Sequence, residues 1–293
     1  MTNRINRAVE LLAQNQPIFY LGGHTGFALT HEHGKEMAGT AADYINIGME
    51  HGAFDMAGLD AFMNGLVDGG PTASGHRTPT VIVEAPVDGG SEDTIRHNAW
   101  QLRQILARGV HGILLCHAEN PGAVKAFIES CRYPSASAGR GHGLDVGRRG
   151  VGGEAGCAPI WGLENREYIE KADPWPLNPE GELMLGLKIE NLRALNTVES
   201  TLAVPGIAFA EWGPGDMAMS MGIGTTPGAP RPERLQAARD RVLAACLANG
   251  VAFLEGPEKG RVVEQYKEGV RIGGYDEALS KTARDHVGRT MPV

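Results

Sequence analysis

Eight short apolar runs punctuate the chain, and most are separated by longer stretches in which apolar residues recur every three or four positions. The runs are PIFYLGG from Pro17, YINIGMEH from Tyr44, TVIVEAP from Thr80, HGILLCHA from His111, LMLGLKIE from Leu183, IAFAEWG from Ile207, VAFLEG from Val251 and VRIGG from Val270. Runs of this length read as buried strands. Between them EDTIRHNAWQLRQILARG, NPGAVKAFIESC, NLRALNTVEST, PERLQAARDRVLAACLANG and GRVVEQYKEG carry the apolar stripe and charged face of amphipathic helices. Strand alternating with helix predicts an α/β fold, a TIM-type (β/α)8 barrel, with residues 1–293 as a single domain. An open doubly wound sheet is the alternative, but no GxGxxG follows the first strand.

The pattern breaks between residues 133 and 182, where SASAGRGHGLDVGRRGVGGEAG and ADPWPLNPEG are rich in Gly, Arg and Pro. A stretch this long without clear periodicity reads as an inserted loop, functional or partly mobile. Composition narrows the function classes. The 293 residues are 42% hydrophobic and 21% charged, with a formal net charge of -8. That balance argues against nucleic acid or an anionic membrane as partner, and a small anionic substrate would need a local cation. Cys116, Cys131, Cys157 and Cys246 show no ligand spacing, which fits a reducing compartment. The opening MTNRINRAVELLAQNQ lacks the apolar core of a signal peptide and no later stretch is long enough to span a membrane, so a cytoplasmic location is expected.

In a barrel of this kind the chemistry collects where strands run into the loops that follow them. YINIGMEH ends on Glu50 and His51, LMLGLKIE on Glu190, and IAFAEWG runs through Gly213, Pro214 and Gly215 to Asp216. Gly-Pro-Gly is a turn that exposes whatever follows it, so Asp216 is either a placed ligand or a simple helix cap. As ends of neighbouring strands, Glu190 and Asp216 would meet at one rim and could hold Mg2+ or Mn2+ in an open site. Lys188 shares the inward side with Glu190, as a catalytic cation or a buried counter-ion. His24 and His117 end the first and fourth runs and either face the site or are ordinary partly buried imidazoles. His31 and His33 read as a solvated turn, while Trp161 and Trp175 either wall a pocket or pack the loop.

Together EHGAFD (Glu50 to Asp55), RYP with RRGVG (Arg132 to Pro134, Arg148 to Gly152), KIEN (Lys188 to Asn191) and GPGD with SMG resemble the HpcH/HpaI aldolase/citrate lyase family, in the family's order and over most of the chain. The resemblance implies a metal-dependent class II lyase acting on a small 2-oxo acid and an aldehyde. Glu190 and Asp216 would be the ligands of a divalent metal (Mg2+ or Mn2+, with Co2+ a further candidate). His51 would be the acid–base group, Glu50 would orient a water, and Gly213, Pro214 and Gly215 would line the substrate carboxylate. It also implies a homo-oligomer, a hexamer through exchanged C-terminal helices, for which YDEALSKTARDHVGR is the candidate. A related lyase acting on a hydroxy-acid or thioester, and a metal-binding barrel without catalysis, remain as alternatives.

The chain departs from the family pattern twice. Gly48 stands where an acidic residue orients the histidine, and Glu84 stands where an Arg holds the keto oxygen. Lys188 or an arginine of the 133–182 segment is the expected replacement cation.

Overall fold

The computed structural model describes residues 4–224 and 230–293. All eight apolar runs form strands: β1 Ile18–Gly23, β2 Tyr44–Gly48, β3 Thr80–Asp88, β4 Gly112–Cys116, β5 Leu183–Ile189, β6 Phe209–Trp212, β7 Ala252–Leu254 and β8 Val270–Gly274. Each pairs in parallel with the next, and β8 closes the cylinder on β1 through Ile272 and Ile18. The fold is the expected TIM-type barrel.

The two-residue alternation of a strand sorts the apolar residues into two cores. Inward positions Ile18, Tyr44, Ile82, Leu114, Met184, Phe209, Leu254 and Ile272 pack with Ala8, Val9 and Leu11 of the N-terminal helix Arg7–Ala13. That helix covers the floor of the barrel, where the Ala8 N–H donates to Thr80 Oγ1 and Asn6 Nδ2 donates to the carbonyl of Glu182. Outward positions such as Ile45, Ile47, Val81, Val83, Ile113, Leu185 and Leu187 pack with the surrounding helices. Among those helices are Met56–Asp68, Glu92–Leu106 and Pro121–Cys131, N-capped by Asp55, Ser91 and Asn120.

Residues 133–182 are more ordered than their composition suggests. They contain helices Glu154–Trp161 and Asn165–Lys171 and a two-residue strand, Pro174–Trp175, paired with β5. The segment enters the floor side of the barrel rather than the rim. Trp161 stacks on His111 at 5.4 Å and donates to the Gly109 carbonyl, while Arg132 Nε lies 2.6 Å from buried Asp173. Arg149 donates to Tyr168 Oη, Arg148 faces Glu129 and Arg166 faces Glu170. These contacts engage Trp161 and the arginines away from the catalytic rim. His31 and His33 likewise belong to a helix, His31–Met37, N-capped by Thr30. Gly34 lets it approach the helix Met56–Asp68 so closely that an added Cβ would lie 2.2 Å from the Phe62 carbonyl oxygen.

The C-terminal helix Glu277–His286 is tied to the floor by charge. Asp43 is fully buried and meets Arg7 at 3.2 Å, Arg284 at 3.1 Å and Arg289 at 2.8 Å, while also accepting the N–H of Phe19. Removing the one carboxylate would leave three guanidinium groups in a dry space. Asp43→Ala is therefore expected to lower unfolding free energy by about 3–5 kcal/mol. A urea midpoint within error of wild type would show that the arginines find other partners.

Candidate active site at the barrel rim

The alternation that fills the lower barrel with apolar side chains fills its upper layer with polar ones. Two residues beyond Tyr44, Ile82 and Phe209 stand Asn46, Glu84 and Glu211, and β5 contributes Lys188 and then Glu190 beyond its end. All five are buried, and the strand register sets Lys188 beside Glu211. Lys188 Nζ donates to Glu50 Oε2 at 2.5 Å and to Glu84 Oε2 at 3.3 Å. The other oxygen of Glu84 accepts from Asn46 Nδ2 at 2.6 Å and lies 2.7 Å from His24 Nδ1, whose opposite nitrogen is 3.8 Å from Glu211 Oε1.

These contacts set the charges. Burial pushes Glu84 and Glu50 up, but the bonds from His24 and Lys188 outweigh it and leave both below the ordinary carboxylate range. Lys188 is held above its usual value by the surrounding acids, against the effect of burial. Among the described residues Glu211 has no lysine or arginine in salt-bridge contact, and burial raises it to about 7 despite the nearby ammonium. The hydrogen bond to Glu84 raises His24.

A second set lies beside the first. The His117 N–H donates to Glu190 Oε1 at 3.0 Å, and its imidazole lies 3.5 Å from Glu190 and 3.6 Å from Glu50. His117 adopts a left-handed backbone with φ of 47°, a strained conformation for a non-glycine residue. Asn191 Nδ2 lies 3.1 Å from its Nδ1. Among the described residues, two trios bring potential metal ligands within 4.8 Å of one another: His24, Glu84 and Glu211, and Glu50, His117 and Glu190. The Lys188 ammonium touches two members of the first trio, His24 and Glu84, and one of the second, Glu50. The second holds Glu190, a buried carboxylate with no lysine or arginine in salt-bridge contact among the described residues, and is the better fit to a divalent cation.

Asp216 lies in neither trio. It is exposed, in the first turn of the helix Pro214–Ser220. Its turn is nevertheless built against Glu190, because a Cβ on Gly213 would lie 2.6 Å from the Cβ of Glu190. The backbone at Gly215 is open, with nothing within 4 Å of an added Cβ. His51 is also exposed, with Nε2 3.8 Å from Glu50 Oε2. The structure thus brings Glu50, Lys188 and Glu190 together with His24, His117, Glu84 and Glu211, and leaves His51 and Asp216 facing solvent.

The two departures from the family pattern both meet the first loop. Any side chain at Gly48 would collide with the backbone of the first loop, 2.2 Å from the His24 carbonyl oxygen. The loop that lies against Gly48 is the one that carries His24, whose Nδ1 is 2.7 Å from Glu84. Glu211 was legible in principle, since strict alternation from Phe209 sends it inward.

A profile of the HpcH/HpaI aldolase/citrate lyase family matches residues 30–273. The chain is 25% identical over 189 residues to a hydroxypyruvate/pyruvate aldolase of Pseudomonas aeruginosa, an alignment covering 64% of each protein, slightly under two thirds of the relative's length. It is 27% identical over 245 residues to a 4-hydroxy-2-oxovalerate aldolase of Novosphingobium aromaticivorans, covering 83% of this chain and 78% of the other. An HpcH/HpaI aldolase/citrate lyase family protein of Burkholderia cenocepacia J2315 shares the fold, with a TM-score of 0.69 over 97% of both chains at 20% identity. No helix among the described residues is long and apolar enough to cross a membrane.

The environment of Glu211 makes stability depend on pH. Its folded pKa of about 7 exceeds the reference 4.5, so the unfolded chain releases this proton first. The group's contribution is complete below the reference value and is lost as pH rises through about 7, costing roughly 3 kcal/mol when fully ionised. Glu211→Gln should match wild type near pH 4.5 and exceed it at pH 8 in urea unfolding. Parallel stability curves for the two proteins would mean that Glu211 ionises freely.

Proposed function

This chain belongs to the HpcH/HpaI aldolase/citrate lyase family, and we propose that it is a divalent-metal-dependent carbon–carbon lyase that cleaves or forms the aldol bond of a 2-oxo acid. The observation that carries the reading is Glu190, a buried carboxylate beside Glu50 and His117 with no lysine or arginine in salt-bridge contact among the described residues. A dication there, Mg2+, Mn2+ or Co2+, would supply positive charge to the keto and carboxylate oxygens of the substrate as charge develops during cleavage.

The side chains divide the remaining work. Glu190 and Asp216 are the proposed carboxylate ligands, one from the end of β5 and one from the turn packed on it. Gly215, open where Gly213 is packed on Glu190, leaves with Gly213 and Pro214 a turn proposed to line the substrate carboxylate. Glu50, fixed by Lys188, orients a water toward His51, and His51 takes the proton of the aldol hydroxyl. Lys188 already serves two carboxylates, so its role is to hold Glu50 and Glu84 in position. The names of the relatives, aldolases of hydroxypyruvate, pyruvate and 4-hydroxy-2-oxovalerate, support a 2-oxo acid substrate.

Pyruvate release from 4-hydroxy-2-oxo acids, coupled to lactate dehydrogenase, should vanish after exhaustive chelation and return with Mn2+. Turnover that survives chelation would reject the mechanism. Glu190→Gln should weaken Mn2+ binding at least tenfold, about 1.4 kcal/mol, by calorimetry. Its melting temperature without metal should equal or exceed that of wild type, because a neutral amide avoids the burial penalty of a carboxylate. Unchanged Mn2+ affinity would remove Glu190 from the ligand set.

A further inference from the structure

We propose that His24 is a second catalytic acid–base group, one that gives its proton to the substrate carbon released when the aldol bond breaks. The inference rests on the aldolase reading above and assigns a role that His51 does not fill. His24 follows β1, and 42% of its side chain is exposed although both its carboxylate neighbours are buried. Glu84 fixes Nδ1 as the donor of a 2.7 Å bond, which leaves Nε2 pointing past Glu211 at 3.8 Å, too far for a hydrogen bond. An imidazole anchored at one nitrogen by a buried carboxylate and free at the other is the arrangement that a positioned proton donor needs.

Charge balance alone does not account for this histidine. Glu84 already has a cation in Lys188 and a neutral donor in Asn46. Lys188 also touches Glu50, so the His24–Glu84 pair and the candidate metal ligands flank a single ammonium. The groups facing the imidazole are Glu84 on β3, Glu211 on β6 and Lys188 on β5, with Asn46 on β2 and Tyr20 on its own strand close to the same acids. The two acids favour the imidazolium, while burial and Lys188 oppose it.

The step balances without an oxidant or reductant. The bond between C3 and C4 of the 2-oxo acid breaks as the C4 hydroxyl gives its proton to His51 and becomes the aldehyde. The electron pair stays with C3 as the double bond of an enolate. C3 then takes the Nε2 proton of His24, the oxygen recovers its carbonyl bond, the neutral imidazole regains a proton from solvent through its exposed edge, and exposed His51 returns its proton to solvent.

Proton exchange at the pyruvate methyl group in D2O with Mn2+, followed by NMR, isolates this step, and single-turnover aldehyde release isolates bond cleavage. His24→Asn should slow exchange roughly 100-fold while first-turnover aldehyde release stays within a few fold of wild type. Glu84→Gln, which keeps the imidazole but removes the charge that favours its protonation, should move the alkaline limb of the exchange profile to lower pH by about one unit. Exchange at the wild-type rate in His24→Asn would overturn the assignment and leave the aldolase reading intact. Equal losses of exchange and cleavage with a lowered melting temperature, or an unmoved profile in Glu84→Gln, would instead make His24 a structural partner of Glu84. A wild-type protein that neither cleaves nor exchanges would reject the aldolase reading itself.

Discussion

The rim is organised around one buried ammonium. Lys188 reaches Glu50 and Glu84 from the middle of the barrel mouth, and each ion would otherwise cost several kcal/mol to remove from water. With the hydrogen bond from His24, this ammonium keeps Glu84 below the ordinary carboxylate range although that residue is fully buried, and an ionised Glu84 in turn holds His24. Glu211 shows the other side of the balance. It shares the layer but not the contact, and a buried carboxylate with no lysine or arginine in salt-bridge contact among the described residues keeps its proton to about pH 7. One cation therefore divides three similar glutamates into two that are charged and one poised near neutrality.

The two trios differ for the same reason. Glu190 lies just two residues beyond Lys188, yet it accepts from the His117 backbone, while the ammonium turns to Glu50 and Glu84. Lys188 also bonds Glu50 of the second trio, so what sets that trio apart is Glu190, a buried carboxylate that among the described residues meets the His117 amide and imidazole and no lysine or arginine. The strained backbone of His117 belongs to this construction, because it brings both the N–H and the imidazole of one residue to the same carboxylate.

Much of the fold was legible because a parallel barrel buries its strands on both faces, so each strand stands out as an apolar run whatever its neighbours do. The segment 133–182 was not legible. Its helices are seven or eight residues long, interrupted by Gly and Pro, and formed against the barrel floor through Trp161, Arg149 and Arg132. Contacts of that kind lie far apart in the chain and leave no local period. At the rim, Glu50, Lys188 and Glu190 could be read from strand ends. His24 and His117 could not be told from ordinary imidazoles, because what distinguishes them is a partner on another strand. Asp216 was placed correctly on the turn after β6, but a turn cannot reveal how far a side chain stands from its neighbours.

Gly48 and Glu84 look, in sequence, like the loss of one catalytic group and the reversal of another. In space both face the first loop. With no side chain at position 48 the backbone of residues 23 and 24 can lie against β2, and that position delivers an imidazole to the carboxylate at 84. An acid at 48 would drive the first loop outward and leave Glu84 with Lys188 and Asn46 but without His24. Restoring an arginine at 84 would set a second cation beside Lys188 and His24 with only Glu50 and Glu211 to answer it. Each substitution by itself would disturb the contact between the first loop and Glu84 on which the present arrangement rests.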